Sequence, residues 1–238
     1  MTIKDIQQAL ARAGFATGPI DGIWGRATIA AVKAFQKQKG LAVDGIAGPQ
    51  TVAALGAASP AAPGEAPTAG RAVPLVWLEE AKHLLGLKEG PGAIDNPVIL
   101  DWAKDLGQGM YKSDDIAWCG LFVGHCIGAT LPEEPLPSGL LGARSWERFG
   151  HATQPTPGAV IVFWRVSPAS GKGHVGFYLG EDDDAYCILG GNQSDRVSVA
   201  WVSKARFVAS RWPATVAQAT TGAVRLANNG QPLSVREA

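Results

Sequence analysis

The sequence predicts an α+β protein in two parts: a small three-helix module, then a domain whose helices precede a small antiparallel sheet. Three observations carry this expectation. The first 55 residues alternate helical spacing with two near-identical glycine turns. Residues 56–70 contain little that could pack. Beyond residue 158, short apolar runs recur at strand length and close spacing.

The first module begins with Ile3, Ile6, Leu10 and Ala13 at helical spacing. Asp21-Gly22-Ile23-Trp24-Gly25-Arg26-Ala27-Thr28-Ile29-Ala30-Ala31 then recurs as Asp44-Gly45-Ile46-Ala47-Gly48-Pro49-Gln50-Thr51-Val52-Ala53-Ala54, with seven identities at an offset of 23. Each copy reads as a tight Asp-Gly turn, a second glycine and a helix start, with Pro49 suited to a first turn. Between the copies, Ile29, Val32 and Phe35 continue a second helix up to Gly40. Residues 56–70 hold three prolines among small residues and are expected to be a flexible linker. The second domain is expected over 71–213, and the stretch 214–238 reads as a disordered tail or poorly docked extension.

Within the second domain, Trp77, Ala81, Leu84 and Leu85 mark an opening helix. Asn96-Pro97 is a good start for a helix ending near Leu106. A third helix is expected from Cys119 through Ile127. Strands are expected over 158–164, 174–179, 186–189, 197–202 and 207–212.

Composition narrows the functional classes. Net charge is zero, but residues 1–55 carry six basic and three acidic side chains, whereas 71–213 carry thirteen and sixteen. So small a basic excess gives no case for nucleic acid. Three cysteines without a C-x-x-C, four dispersed histidines and no H-E-x-x-H give no metal-binding pattern. Cys126 and Cys187 read as small buried apolar residues. The start, Met-Thr-Ile-Lys-Asp-Ile-Gln-Gln, lacks the pattern of a signal peptide, and no apolar run approaches the length of a membrane span.

Cys119 and His174 are the candidate reactive pair. An ordinary thiol is mostly protonated at neutral pH, and unpaired N–H groups at a helix start favour its anion. Cys119 opens the apolar run Leu121-Phe122-Val123. His174 opens an alternating strand, and glycines at 171, 173 and 176 permit close approach by another segment. His125 lies about 240° around the helix from Cys119, while His83 and His151 sit in less suitable contexts. A third residue should orient the imidazole. The strand ending in Gly190-Gly191-Asn192-Gln193-Ser194-Asp195 makes Asn192 the leading candidate, with Gln193 and Asp195 as rivals. Asp114 and Asp115 are placed either to serve near the site or to cap the helix. Trp118, Trp146 and Trp164 are candidates for the walls of a groove; Trp118 and Trp164 are taken as substrate-binding.

Two resemblances supply a substrate. The repeated D-G-x-x-G-x-x-T, over roughly residues 2–55, resembles the peptidoglycan-binding domain of many cell-wall hydrolases. That likeness implies a groove for stem peptide or glycan, with Asp21, Trp24 and Thr28 as groove residues. The motifs W-C-G-L-F-V and G-H-V-G-F-Y-L-G resemble the papain-like CHAP and NlpC-type cell-wall peptidases, with CHAP-like modules of phage lysins the nearest in pattern. This second likeness implies a papain-like domain cleaving an amide of peptidoglycan through Cys119, His174 and Asn192. NlpC-type enzymes usually have a histidine third, and none follows His174 here. Many CHAP domains have a glutamate two residues before the asparagine, where this chain has Gly190. The resulting expectation is a monomeric peptidoglycan hydrolase without cofactor or metal, binding neither nucleic acid nor membrane. It would be made without a signal peptide and act on the wall after release, as a phage or prophage endolysin. The alternatives are an exported wall-degrading effector and a non-catalytic wall-binding protein.

Overall fold

The structure is a computed structural model that describes residues 3–20, 22, 26–41, 43, 45, 47, 49–56, 75–92, 94–218 and 222–234. The expected linker, Asp21 and Trp24 lie outside these residues. The chain divides into two compact units, Met1–His83 with Ala129–Glu133, and Leu84–Gly128 with Glu134–Ala238.

The first unit contains α1 (Ile3–Arg12), α2 (Arg26–Lys39), α3 (Pro49–Gly56) and α4 (Val76–His83). The apolar spacing of the first three helices builds one core around Ile6, Leu10, Val32, Phe35 and Leu55, with Phe15 edge-on to Phe35 at 5.6 Å. The repeat has a structural counterpart in two buried glutamines. Gln7 Oε1 accepts from the Gly22 amide at 2.8 Å while its Nε2 donates to Thr28 Oγ1 at 3.0 Å. Gln36 repeats this with Gly45 at 2.9 Å and Thr51 at 3.0 Å. Gly22 and Gly45 have φ of 87° and 76°, the left-handed conformation that makes glycine necessary at both turns.

In the second unit, α5 (Pro97–Asp105) starts where the sequence placed it. The Asn96 side chain accepts from the Val98 amide, and Pro97 occupies the first turn. The third expected helix is α6 (Cys119–Thr130), nearly all of it buried. There follow a 3-10 helix over Ala143–Arg148 and strands β1 (His151–Ala152), β2 (Val160–Trp164), β3 (Gly173–Glu181), β4 (Ala185–Gly190), β5 (Ser198–Ser203) and β6 (Phe207–Trp212). They form one antiparallel sheet in the order β1-β6-β2-β3-β4-β5. The α+β class and the helices-then-sheet order are therefore as the sequence indicated. Helix α6 lies on the sheet centre, with Phe122 against Phe177 at 6.0 Å.

Described residues 214–218 and 222–234 make backbone hydrogen bonds to the rest of the second unit, which the composition of the stretch does not suggest. Glu134 accepts from the backbone N–H groups of Ala214 and Thr215 at 2.7 and 2.8 Å. Further on, Glu181 exchanges backbone hydrogen bonds with Val224 and Leu226, and the Ser234 amide reaches the Trp201 carbonyl. Backbone pairing of this kind needs no apolar pattern, so nothing in the side chains announced it.

Candidate active site

Cys119 is the first residue of α6 and is 3 % exposed. Its sulfur lies against the backbone N–H groups of Val175, Gly120 and Cys119 itself, with the Arg165 cation nearby. All four favour the thiolate. Burial nevertheless dominates and pushes the thiol above its ordinary value. The helix start is where the sequence placed it, but its stabilisation of the anion is outweighed by desolvation.

His174 is paired across the sheet with Phe163 and is fully buried. The thiol touches the amide of the next residue, so the sheet brings the histidine backbone to the cysteine. A hydrogen bond of 3.1 Å joins His174 Nε2 to Gln193 Oε1. The other end of that amide donates to the Ser198 carbonyl oxygen and to Ser198 Oγ. The glutamine orientation is thereby fixed. A carbonyl facing Nε2 requires the proton on Nε2 and leaves Nδ1 as the basic nitrogen.

The carbonyl on the imidazole thus belongs to Gln193, not to the leading candidate Asn192. The end of the strand points to the right segment but does not fix which of its polar side chains faces the imidazole. Asn192, Ser194 and Asp195 all have positive φ, at 54°, 54° and 61°. The tight turn they make brings Gln193 back under His174, and non-glycine residues in that region mark a conformation imposed by the surroundings. Residues 86–89 hold the turn from outside through Gly86 to Val197, Val197 to Leu87 and Glu89 to Asp195. The rival Asp195 faces Glu89, whose carboxyl is pushed up mainly by burial, against the Trp118 hydrogen bond and with help from the Asp195, Asp114 and Asp115 charges.

The other expected residues are placed as follows. Trp118 is fully buried, with Nε1 donating to Glu89 Oε1 at 2.7 Å, so it supports the start of α6 from within the core. Trp146 is also buried and donates to the Leu140 carbonyl. Trp164 is partly exposed at the end of β2, opposite Gly173. Asp114 accepts from the amides of Gly90 and Asn96 at 2.8 and 2.7 Å, tying loops together. Thr28 is 2 % exposed, with its hydroxyl on Gln7. His125 stacks on Trp102 at 4.6 Å, and His83 Nδ1 lies 2.7 Å from the Glu79 carbonyl oxygen. Cys126 and Cys187 are buried thiols not joined in a disulfide. Among the described residues, no three His, Cys, Asp or Glu side chains cluster as metal ligands, and no helix is long and apolar enough to cross a membrane.

Sequence reasoning passed over Arg165 altogether. It stands just beyond β2, its amide donating to the Lys172 carbonyl at the loop end of the hairpin that carries His174. The register of that hairpin could have found it, but no side-chain pattern could.

Comparison with known proteins places one family model on the first module. Residues 2–55 match a family model described as a putative peptidoglycan binding domain. A stretch of 119 residues is 36 % identical to the N-acetylmuramoyl-L-alanine amidase CwlM of Mycobacterium tuberculosis (strain ATCC 25618 / H37Rv). The match spans 49 % of this chain and 28 % of that relative's length. No solved structure matches.

Proposed function

We propose that this chain is a peptidoglycan hydrolase in which residues 2–55 hold the wall and Cys119 cuts an amide bond within it. One observation carries the reading. A thiol at a helix start lies against the strand bearing a histidine whose tautomer is set by an oriented glutamine. Support for the substrate comes from the peptidoglycan-binding match and from the similarity to a relative named as an amidase.

In this mechanism His174 Nδ1 takes the thiol proton as sulfur attacks the amide carbonyl carbon. The C–N bond then breaks, the amine leaves with that proton, and a thioester remains. Water, deprotonated by the same nitrogen, attacks the thioester carbon, releasing a carboxylate and restoring the thiol. Backbone N–H groups at the start of α6 stabilise the oxyanion in both halves. Because burial keeps the resting sulfur protonated, proton transfer accompanies attack instead of preceding it.

The bond cleaved is either the muramoyl–alanine link or one within the stem peptide or cross-bridge. A chain of this kind suits a phage or prophage endolysin, or a wall-degrading effector. Cys119→Ala and the wild type should be incubated with purified peptidoglycan and the fragments identified by mass spectrometry. New alanine N-termini on intact glycan identify an amidase, and split peptides an endopeptidase. Clearing by the alanine variant overturns the cysteine mechanism in favour of another chemistry. Wall binding without products from either protein leaves a non-catalytic binder.

A further inference from the structure

The second unit contains an open cleft of about 760 Å³ between the proline-rich loop at 134–139 and the 3-10 helix Ala143–Arg148. Cys119 and His174 do not line it, but its walls pack on the glycines beside both. The turn that forms its wall packs on Gly120, where a Cβ would stand 2.6 Å from the Leu141 carbonyl oxygen. The 3-10 helix that follows packs on Gly173, where a Cβ would meet Arg144 Cδ at 2.8 Å. Those glycines directly follow Cys119 and directly precede His174.

The charges in the cleft are unequally committed. Both Glu134 carboxylate oxygens are held by the backbone of 214–215, and Thr215 Oγ1 donates to one of them as well. Glu147 is paired with Arg144, whose Nη1 also donates to the Pro168 carbonyl. Arg148 is exposed and makes no ion pair or side-chain hydrogen bond among the described residues. The hydroxyls of Ser138 and Ser145, also in the lining, have no hydrogen-bond partner among them either. What remains for a ligand is one guanidinium and two hydroxyls; Glu147 is neutralised by Arg144, while Glu134 keeps its charge but is turned onto the 214–215 backbone. A guanidinium fork matches a carboxylate in shape and charge.

We propose that this cleft is a subsite for a free carboxylate of the substrate's peptide moiety, bound by Arg148 with Ser138 and Ser145 beside it. This rests on the reading of the chain as a peptidoglycan hydrolase. The subsite makes the enzyme discriminate between stem peptides with free and with amidated carboxylates.

The test compares wild type, Arg148→Ala and Arg148→Lys on two soluble muropeptides that differ only in whether the stem carboxylates are free or amidated. The wild type should favour the free form. Arg148→Ala should raise KM for it about tenfold or more with kcat retained, abolishing the preference, and Arg148→Lys should restore part of it. Equal effects on both substrates, or none on either, overturn the proposal. A second arm does not depend on turnover. The free-carboxylate peptide is titrated into full-length Cys119→Ala, with the Arg148 side-chain N–H followed by NMR. Saturable movement of that signal, absent with the amidated peptide, supports the subsite even if the wild type cleaves neither muropeptide. An unmoved signal rejects it even if the wild type cleaves both.

Discussion

Gln193 Oε1 stands 3.1 Å from His174 Nε2 because the Gln193 amide group is held at its other end by the Ser198 carbonyl. Gln193 is therefore a positioning residue for the proposed base. Gln193→Ala should lower kcat about a hundredfold with KM little changed, as expected when a base loses its tautomer and aim. Gln193→Glu keeps an acceptor for Nε2 but adds a negative charge that stabilises the imidazolium. The acidic limb of the activity–pH profile should then move to higher pH, a shift that a purely structural role does not produce. If Asn192→Ala is as damaging as Gln193→Ala and the Glu variant leaves the profile unmoved, the assignment of the third residue reverts to Asn192.

Gly190 leaves the space that the His174–Gln193 contact needs. A Cβ there would lie 2.9 Å from Gln193 Oε1 and 3.1 Å from His174 Nε2. Gly190→Ala should therefore displace the pair while β4 persists, since its backbone is ordinary extended strand. The expected result is activity reduced at least as far as in Gln193→Ala, with a circular dichroism spectrum like that of the wild type. Retained activity would show that the pair tolerates movement and that its geometry is not what sets the rate.

How much of this was legible beforehand depended on whether local pattern or backbone path decided the matter. Helix α6 and strand β3 follow from apolar runs beside Cys119 and His174, so both residues could be named from sequence. The third residue could not, because positive φ at Asn192, Ser194 and Asp195 makes a turn that decides which polar side chain of 192–195 reaches the imidazole. Trp118 was read as a groove wall since an indole suits either surface. Its role is decided by Glu89, 29 positions away, which no local pattern connects to it. The contacts of 214–218 and 222–234 rest mainly on backbone and polar hydrogen bonds and so left little mark on hydropathy.

The buried thiol predicts slow labelling. Burial raises the Cys119 pKa above its ordinary 9.0 despite three backbone N–H groups and the Arg165 charge. In the folded chain, iodoacetamide should modify Cys119 far more slowly at pH 7 than it modifies the same residue in the unfolded chain. The rate should continue to climb beyond pH 9, where an unperturbed thiol levels off. The linkage runs the same way. The fold favours the protonated thiol, so its contribution to stability is complete below the unfolded pKa. That contribution is lost as pH rises through the folded value, and Cys119→Ala should flatten the loss. Site-resolved mass spectrometry separates Cys119 from the buried Cys126 and Cys187. Rapid labelling at pH 7 with an early plateau would contradict this account.

Gln7 and Gln36 predict a separable failure of the proposed wall-binding module. Each buried amide holds a left-handed glycine turn and a threonine hydroxyl at equivalent points of the repeat. Removing either leaves a backbone N–H without its partner, at a cost of about 1–3 kcal/mol for a buried site. In a module so small, that is a large share of its stability. In the full chain, Gln7→Ala and Gln36→Ala should each lower the melting temperature of the first module and weaken retention on insoluble peptidoglycan. Turnover of a small soluble muropeptide by Cys119 should stay at the wild-type level, because the substitutions lie outside the second unit. The double variant should lose retention altogether if the two turns share one binding surface. If Gln7→Ala alone abolishes retention while Gln36→Ala only lowers the melting temperature, the first turn carries recognition and the second serves the fold.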